Sequence, residues 1–131
     1  MSVFVEKALA HADRSPDTVV VTDKWRTWTW SDLVARASAY GEAAVEHFPE
    51  ADGTSAVPIL VGRSGETPAA ALGLLMAGRA VAPLSPQQPT ARLNRCLSKL
   101  GVTDLIDARA PQEQDDLQLP LKTIVPDKAA D

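Results

Sequence analysis

Cysteine is almost absent from this 131-residue sequence, in which Cys96 is the single example. One cysteine excludes an internal disulfide and a zinc cluster of cysteines. Its position on the apolar side of a predicted helix favours a small core residue over a reactive thiol. The two histidines, His11 and His47, fall in separate predicted helices without neighbouring ligand residues. We therefore expect both to be solvated, and we expect no metal site.

Long apolar runs and runs of one charge are missing as well. No window reaches the ~18 consecutive apolar residues of a membrane span, and the first seven residues lack the pattern of a signal peptide. Acidic and basic residues are interspersed, and the net charge is −4. No run of lysine or arginine is present that could bind the phosphate backbone of a nucleic acid. We expect a cytoplasmic protein that binds neither membrane nor nucleic acid.

What is present is an ordinary globular composition, with 45% apolar and 23% charged residues. The length suits a single domain. We expect residues 1–125 to form that domain and residues 126–131 to form a flexible tail.

Helical and strand patterns alternate along the chain, which predicts an α/β fold of helix–sheet–helix layers with mainly parallel strands. Apolar spacing predicts helices at 2–12, 30–48, 68–77 and 90–100. Strands are predicted at 18–22, 26–30, 56–61, 79–84, 104–108 and 121–125, with a polar turn at 110–116. The first two strands should form an N-terminal β-hairpin, and the β-branched run at 18–22 should be buried.

Helix ends carry recognisable signals. Thr29 and Asp32 have the spacing of a capping box, which gives Asp32 a structural role and no catalytic one. Gly78 and Gly101 suit the left-handed residue that closes a helix. Further helix N-caps are expected at Ser2, Thr67 and Thr90.

Two features have a sharper and a plainer interpretation. Gly62 and Gly65, before a predicted helix, resemble an anion site, but Glu66 would repel a phosphate and a strand-to-helix turn explains both glycines. Trp25, Trp28 and Trp30 could form an aromatic platform for a ring. Core packing beside the capped helix is the more frequent role of such residues. We favour the plainer interpretation in both cases.

Three stretches carry a family resemblance. Residues 26–33 resemble the first core motif of adenylation domains, Leu-Thr-Tyr-x-Glu-Leu. Residues 63–66 and 72–84 resemble the second, Arg-Ser-x-Glu followed by Leu-Lys-Ala-Gly-x-Ala-Tyr-Val-Pro-Leu. Residues 85–93 are similar to the continuation Asp-Pro-x-x-Pro-x-x-Arg-Leu, with Ser85 in place of the acid. The residues that match these motifs are Trp28, Thr29, Trp30, Asp32, Leu33, Arg63, Ser64, Glu66, Ala77, Gly78, Pro83, Leu84, Pro86, Pro89, Arg92 and Leu93.

The resemblance, over about residues 4 to 108, implies the N-terminal portion of an adenylate-forming enzyme. Pro89, Arg92 and Leu93 favour the nonribosomal peptide synthetase branch over the acyl-CoA ligase branch. Such enzymes activate a carboxylic acid with ATP and Mg²⁺ and pass the acyl group to a thiol. The family's phosphate-binding loop, its nucleotide motifs and its catalytic lysine have no counterpart in this sequence. We therefore expect no catalytic, cofactor-binding or metal-binding residue here.

Three functions remain open at this point. The leading hypothesis is a subdomain, or a split or truncated part, of a carboxylate-activating ligase, with scaffolding as its role and the remainder of that enzyme as its partner. The second is a stand-alone interaction protein that self-associates through exposed apolar faces or docks a synthetase or carrier protein. The third is a small α/β nucleotide-binding protein that resembles the family by chance.

Overall fold

A computed structural model of the chain describes residues 3–49 and 56–126, in which five helices and six strands alternate. The helices are α1 (Val3–Arg14), α2 (Trp30–His47), α3 (Glu66–Met76), α4 (Thr90–Leu100) and α5 (Pro111–Asp116). The strands are β1 (Val19–Thr22), β2 (Thr27–Thr29), β3 (Ala56–Val61), β4 (Ala80–Leu84), β5 (Leu105–Ala108) and β6 (Thr123–Ile124).

The strands form two sheets, and the predicted fold class is confirmed. Four parallel strands are ordered β4-β3-β5-β6, and β1 pairs with β2 in an antiparallel ribbon. The chain leaves β3 for β4 on one side and reaches β5 on the other. The carboxyl ends of β3 and β5 therefore lie side by side, where the loops after them diverge.

Helices cover both faces of the parallel sheet. Ile59 of β3 belongs to a core shared with α2 and α3, whereas its neighbour Leu60 belongs to a second core shared with α4. This split follows from the strand period of two, which sends successive side chains to opposite faces. The uniformly apolar helix α3 is buried between the sheet and α2. Cys96 is partly buried against the second core.

The capping box at the start of α2 is confirmed. The Thr29 hydroxyl accepts a hydrogen bond from the Asp32 amide at 3.1 Å, and the Asp32 carboxylate accepts one from the Thr29 amide at 3.0 Å. At the other helix ends, Gly78 and Gly101 have φ angles of 74° and 73°. These left-handed angles are the ones predicted for both glycines.

Removing the capping hydroxyl should cost a measurable part of the stability. We expect Thr29→Ala to lower the free energy of unfolding by about 1 kcal/mol, because the Asp32 amide loses its acceptor. Ser31 lies two residues further on, and its exposed side chain makes no hydrogen bond to any described residue. Ser31→Ala is therefore the control, and it should stay within about 0.5 kcal/mol of the parent in urea unfolding. Equal effects of the two changes would contradict the role of the cap.

Two of the predicted N-caps are wrong. Helix α3 begins at Glu66, with Gly65 at its N-cap. Thr67 is therefore already inside the helix and cannot cap it. The Thr67 hydroxyl instead accepts from the Gly62 amide at 2.9 Å and donates to the Ala108 carbonyl at 2.7 Å, which ties α3 to the ends of β3 and β5. Helix α4 has Pro89 at its N-cap, and Thr90 makes no capping bond. Ser2 lies outside the described residues.

Other element boundaries also differ from the predictions. The stretch at 110–116 is a short helix and not a turn, because the Glu113 carboxylate accepts from the Ala110 amide at 3.0 Å and Pro111 fits the first helical turn. The last strand is reduced to Thr123–Ile124. Strand β1 is half-exposed and not buried. Val45, an apolar residue of the helix predicted at 30–48, has 52% of its surface exposed.

The start of the predicted tail is packed. Pro126 is buried, and its carbonyl accepts a hydrogen bond from Arg36 Nη2 at 3.3 Å. The boundary expected between residues 125 and 126 therefore does not mark the end of packed structure. The remaining residues of the predicted tail, 127–131, lie outside the described residues.

Candidate functional site

The second family motif begins where β3 turns into α3, the place at which an open α/β sheet would offer backbone amides to a ligand. Three backbone N–H groups of this turn donate hydrogen bonds to side-chain oxygens of the same chain. The Arg63 amide donates to Glu113 Oε2 at 3.0 Å, and the Gly65 amide donates to Asp23 Oδ2 at 2.8 Å. The Glu66 amide donates to the buried hydroxyl of Ser64 at 3.2 Å. These contacts support a structural turn over an anion site.

Asp23 is the residue that joins the ribbon to this turn. Its Oδ1 accepts from the amides of Trp25 and Arg26 at 2.8 and 2.9 Å. Its Oδ2 accepts from the Trp28 indole N–H at 2.9 Å, in addition to the Gly65 amide. Partial burial pushes the pKa of Asp23 upward, but these hydrogen bonds outweigh that effect and hold its pKa below the ordinary 3.8.

The lowered pKa of Asp23 predicts an acid-sensitive part of the stability. Because the folded-state pKa lies below the unfolded value of 3.8, the stabilisation is complete above that pH and is lost as the pH falls through the folded-state pKa. We expect Asp23→Asn to cost about 1.5–3 kcal/mol at pH 7, and less in acid, since an amide replaces two acceptor oxygens with one. Urea unfolding between pH 7 and pH 2.5 would measure this. The exposed Asp17, which has no partner among the described residues, gives the control Asp17→Asn, expected to leave the profile unchanged.

Trp28 is the one tryptophan that is fully packed. It is 2% exposed and lies so close to Gly65 that a β-carbon there would be 2.3 Å from its ring. The Arg26 guanidinium lies 4.0 Å from the ring centroid. Trp30 is the first residue of α2, and its ring stacks on the exposed His11 at 5.7 Å. These contacts separate the rings among different neighbours, which supports core packing over a shared aromatic platform.

A buried polar network links α2 to the start of α3. Glu66 Oε1 accepts from Arg36 Nε at 2.8 Å and from the Tyr40 hydroxyl at 2.5 Å. Burial, followed by the negative charge of Glu66, raises the pKa of Tyr40 well above its ordinary value, so the phenol stays protonated. The motif residue Glu66 therefore acts here as an acceptor that holds two helices together.

A buried ion pair lies at the carboxyl end of β5. Asp107 and Arg109 are 2% and 4% exposed, and two bonds of 2.8 Å join the guanidinium to the carboxylate. Hydrogen bonding to Asp107 raises the pKa of Arg109, against the opposing effect of burial. The remaining Arg109 nitrogen donates to the Leu117 carbonyl at 2.7 Å, which holds the end of α5 against the sheet. The pair was not predicted from the sequence, because Asp-x-Arg at a strand end is not distinctive.

Two clefts adjoin this region. One, of about 570 Å³, lies over the carboxyl ends of β3 and β5, and the charged residues along it are Arg63, Arg109, Glu113 and Asp116. The other, of about 900 Å³, lies between the ribbon and α5. In the part of the chain that the structure describes, no group of three histidine, cysteine or acidic residues is placed to hold a metal ion.

The structure brings the first two family motifs together at the turn before α3, and the third motif contacts the end of the second on the other face of the sheet. Trp28 of the first motif contacts Gly65 within the second, and Arg36 of α2 pairs with Glu66. The third motif forms the loop after β4 and the first turn of α4, where Leu93 belongs to the same core as Leu84 of the second motif. Sequence reasoning missed Asp23 as the connecting residue. The sequence predicted only that the two strands on either side of Asp23 form a hairpin.

Comparisons with known proteins show the family to which the chain belongs. A family model described as AMP-binding enzyme matches residues 9–130. The chain belongs to the AMP-binding enzyme family. It is 32% identical over 95 residues to a plipastatin synthase of Bacillus subtilis (strain 168), a match that covers 72% of this chain and 4% of that protein. A surfactin synthase of the same organism is 32% identical over 104 residues, with 79% and 3% covered.

Solved structures give the same assignment. The chain is similar to the nonribosomal peptide synthetase FmoA3 in its α-methyl-L-serine-AMP bound form, with a TM-score of 0.78, 25% identity, and 98% of this chain and 14% of that chain covered. The fold is also that of the N-terminal subdomain of Klebsiella oxytoca NpsA, with a TM-score of 0.67, 22% identity, and 92% and 30% covered. This member of the AMP-binding family therefore corresponds to the N-terminal part of an adenylation domain of the peptide synthetase type.

The two synthases are much longer than this chain. The chain spans only 4% and 3% of the two synthases, which are parts of larger synthetases. Among the helices of residues 3–49 and 56–126, none has the length and apolar character that crossing a bilayer requires.

Proposed function

We propose that this chain forms the N-terminal framework of a carboxylate-activating ligase of the peptide synthetase type, without carrying the adenylation chemistry. The observation that supports this most directly is the state of the turn between β3 and α3. A phosphate bound there would have to displace the carboxylates of Asp23 and Glu113 from the amides of Gly65 and Arg63. It would also lie beside the acidic side chain of Glu66. Catalysis of nucleotidyl transfer instead needs positioned donors that are free to meet the developing charge.

In this proposal, ATP, Mg²⁺ and the acid bind to parts of the ligase that lie outside the 131 residues. The chain would supply the packed layer formed by α2, α3 and the parallel sheet, against which those parts fold. A carrier protein is the expected downstream partner of the complete enzyme. One structural relative, PA1221, is described as containing adenylation and PCP domains, and its likeness to this chain is one of fold.

The test is reconstitution of the ligase in two pieces. The chain is mixed with the remaining polypeptide of an adenylation domain from the same genome, beginning where the match ends. We expect acid-dependent exchange of pyrophosphate into ATP in the mixture and in neither piece alone. As a control, the chain carrying Gly73→Ala, which should not hold α2 against α3, should fail to restore exchange. A mixture that neither associates nor exchanges pyrophosphate would overturn the proposal.

A non-catalytic interaction protein is the second candidate, and the exposed apolar side chains of the N-terminal half favour it. Phe4, Val19 and Val45 have 62%, 50% and 52% of their surfaces exposed. This candidate requires these side chains to form one contiguous face, the kind of surface that other proteins cover. This candidate predicts association with a synthetase or carrier protein without any pyrophosphate exchange. A third candidate, a nucleotide-binding protein, predicts heat on titration with ATP, and a flat calorimetric titration would exclude it.

A further inference from the structure

The β1–β2 ribbon is a sheet of only two strands, with four and three residues. A pair of this size is marginal as an independent sheet, since stable sheets have three or more strands or are covered by other elements. In the ladder, Val19 faces Thr29 and Val21 faces Trp28, so Val20 forms a bulge. The ribbon therefore resembles the border of a larger sheet more than a complete one.

The sequence of β1 disagrees with its exposure. Residues 18–22 form the continuous β-branched run Thr-Val-Val-Val-Thr, which is typical of a strand covered on both faces. In the structure no residue of β1 is buried, and Val19 has half of its surface exposed. Strands β3 and β5, which are similarly apolar, are almost fully buried. The pattern thus fits a strand whose cover lies outside this chain.

The outer edge of β1 is also the least protected strand edge among the described residues. Free sheet edges usually carry charged residues, prolines or very short strands that prevent pairing. The edge strand β4 carries an exposed Pro83, and the opposite edge strand β6 has only two residues. Strand β1 has neither a charge nor a proline, and the bulge at Val20 is its one irregularity. In the described parts of the chain, only β2 hydrogen-bonds to the backbone of Val19, Val20 and Val21.

We propose that the outer edge of β1 pairs with an extended strand from the part of the ligase outside this chain, so that the ribbon becomes the border of a larger sheet. This proposal rests on the proposed function. The occupant follows from the amount of polypeptide available, because the chain covers 14% of the FmoA3 chain to which it is similar. An added strand would pair with the N–H and C=O groups on the outer edge of β1 and would place its own side chains beside that of Val19.

Hydrogen exchange at single residues tests this pairing in the reconstituted ligase. The amides of Val19, Val20 and Val21 are followed in the chain alone and after mixing with the remaining adenylation polypeptide. Because a ladder bond protects its amide, we expect at least one of the three to exchange more than about tenfold more slowly in the mixture. The amide of Ser31 already donates to the Pro16 carbonyl, so its exchange serves as the internal reference.

A matched pair of variants separates strand pairing from general apolar contact. Val19→Lys places a charge on the edge of β1, and Val45→Lys places the same charge at a site of almost equal exposure on α2, 52% against 50%. Both variants should keep the circular dichroism and unfolding midpoint of the parent. We expect Val19→Lys to weaken association with the remaining polypeptide at least about tenfold, and Val45→Lys to leave it unchanged.

The outcomes distinguish this proposal from the proposed function. Restored pyrophosphate exchange with unprotected amides at Val19–Val21 would overturn the strand pairing and leave the framework role intact. Equal weakening by the two lysine variants would likewise contradict pairing at β1. A chain that dimerises by itself and protects these amides would identify a second copy as the occupant and overturn the proposal. Failure of the two pieces to associate would overturn both proposals together.

Discussion

Replacing Gly73 by alanine is expected to prevent α2 and α3 from packing in their native position. A β-carbon at residue 73 would lie 2.1 Å from the Ala37 carbonyl oxygen and 3.0 Å from the backbone nitrogen of Gly41. These are backbone atoms, so no side-chain rotation can relieve the overlap, and the whole of α2 would have to move. We expect a loss of at least about 3 kcal/mol in the free energy of unfolding, with partial separation of the helices.

The matched control is alanine at Gly78, the glycine that follows the same helix. A β-carbon there meets nothing within 4 Å, but the φ of +74° is unfavourable for alanine. Gly78→Ala should therefore cost only about 1–2 kcal/mol, the effect of the left-handed backbone alone. Urea unfolding followed by circular dichroism measures both. A loss for Gly73→Ala that does not exceed the loss for Gly78→Ala would contradict the close approach of α2 and α3.

The second large effect is expected at the buried ion pair of β5. Asp107→Asn retains the shape of the side chain but leaves the guanidinium of Arg109 buried without its counter-charge. Breaking a buried pair by changing one partner typically costs about 3–5 kcal/mol. This is a large part of the roughly 5–15 kcal/mol by which domains of this kind are stable. The hydrogen bond from Arg109 to the Leu117 carbonyl should weaken as well. The amides of α5 should therefore exchange their hydrogens with solvent faster.

Asp104 provides the comparison for this prediction. Its carboxylate lies 3.6 Å from Lys122 Nζ, a nitrogen on a side chain that is 77% exposed. Exposed pairs contribute about 0–1 kcal/mol, so Asp104→Asn should be nearly neutral. Unfolding of the two variants in parallel gives the difference directly. Similar small effects for both would show that the Asp107–Arg109 pair contributes no more than a surface pair.

The sequence predicted those parts of the fold that depend on local signals. The capping box of Thr29 and Asp32 and the left-handed Gly78 and Gly101 are encoded in a few adjacent residues, and all were confirmed. The order of the other helices and strands followed from helical apolar spacing and strand-like runs, whereas α5 was predicted as a turn. Thr67 and Thr90 failed as predicted caps because a hydroxyl near a helix start has several possible partners, and tertiary contacts decide among them.

Contacts between distant residues could not be predicted in this way. Asp23 and Gly65 are separated by 42 positions, and Arg63 and Glu113 by 50, so no local pattern reports that they meet. The exposure of Val19 escaped prediction for a related reason. A β-branched run signals that a strand is suited to burial, but the polypeptide that would cover it has to be present for the burial to occur.

The family that the motifs predicted, by contrast, was confirmed by the match to the AMP-binding family. Trp28, Glu66 and Leu93 are packing and framework residues in the structure, buried or hydrogen-bonded within the chain. Each of these three motif residues therefore has a structural role within this chain. This agrees with the framework role proposed for these 131 residues.

In the proposed function, this chain supplies packed framework and does not itself carry the adenylation chemistry. The most direct measurement is to incubate the purified chain alone with ATP, Mg²⁺, radioactive pyrophosphate and a mixture of amino and other organic acids. We expect no acid-dependent incorporation of label into ATP. Incorporation that follows the concentration of folded chain, and that Gly73→Ala abolishes, would contradict the account.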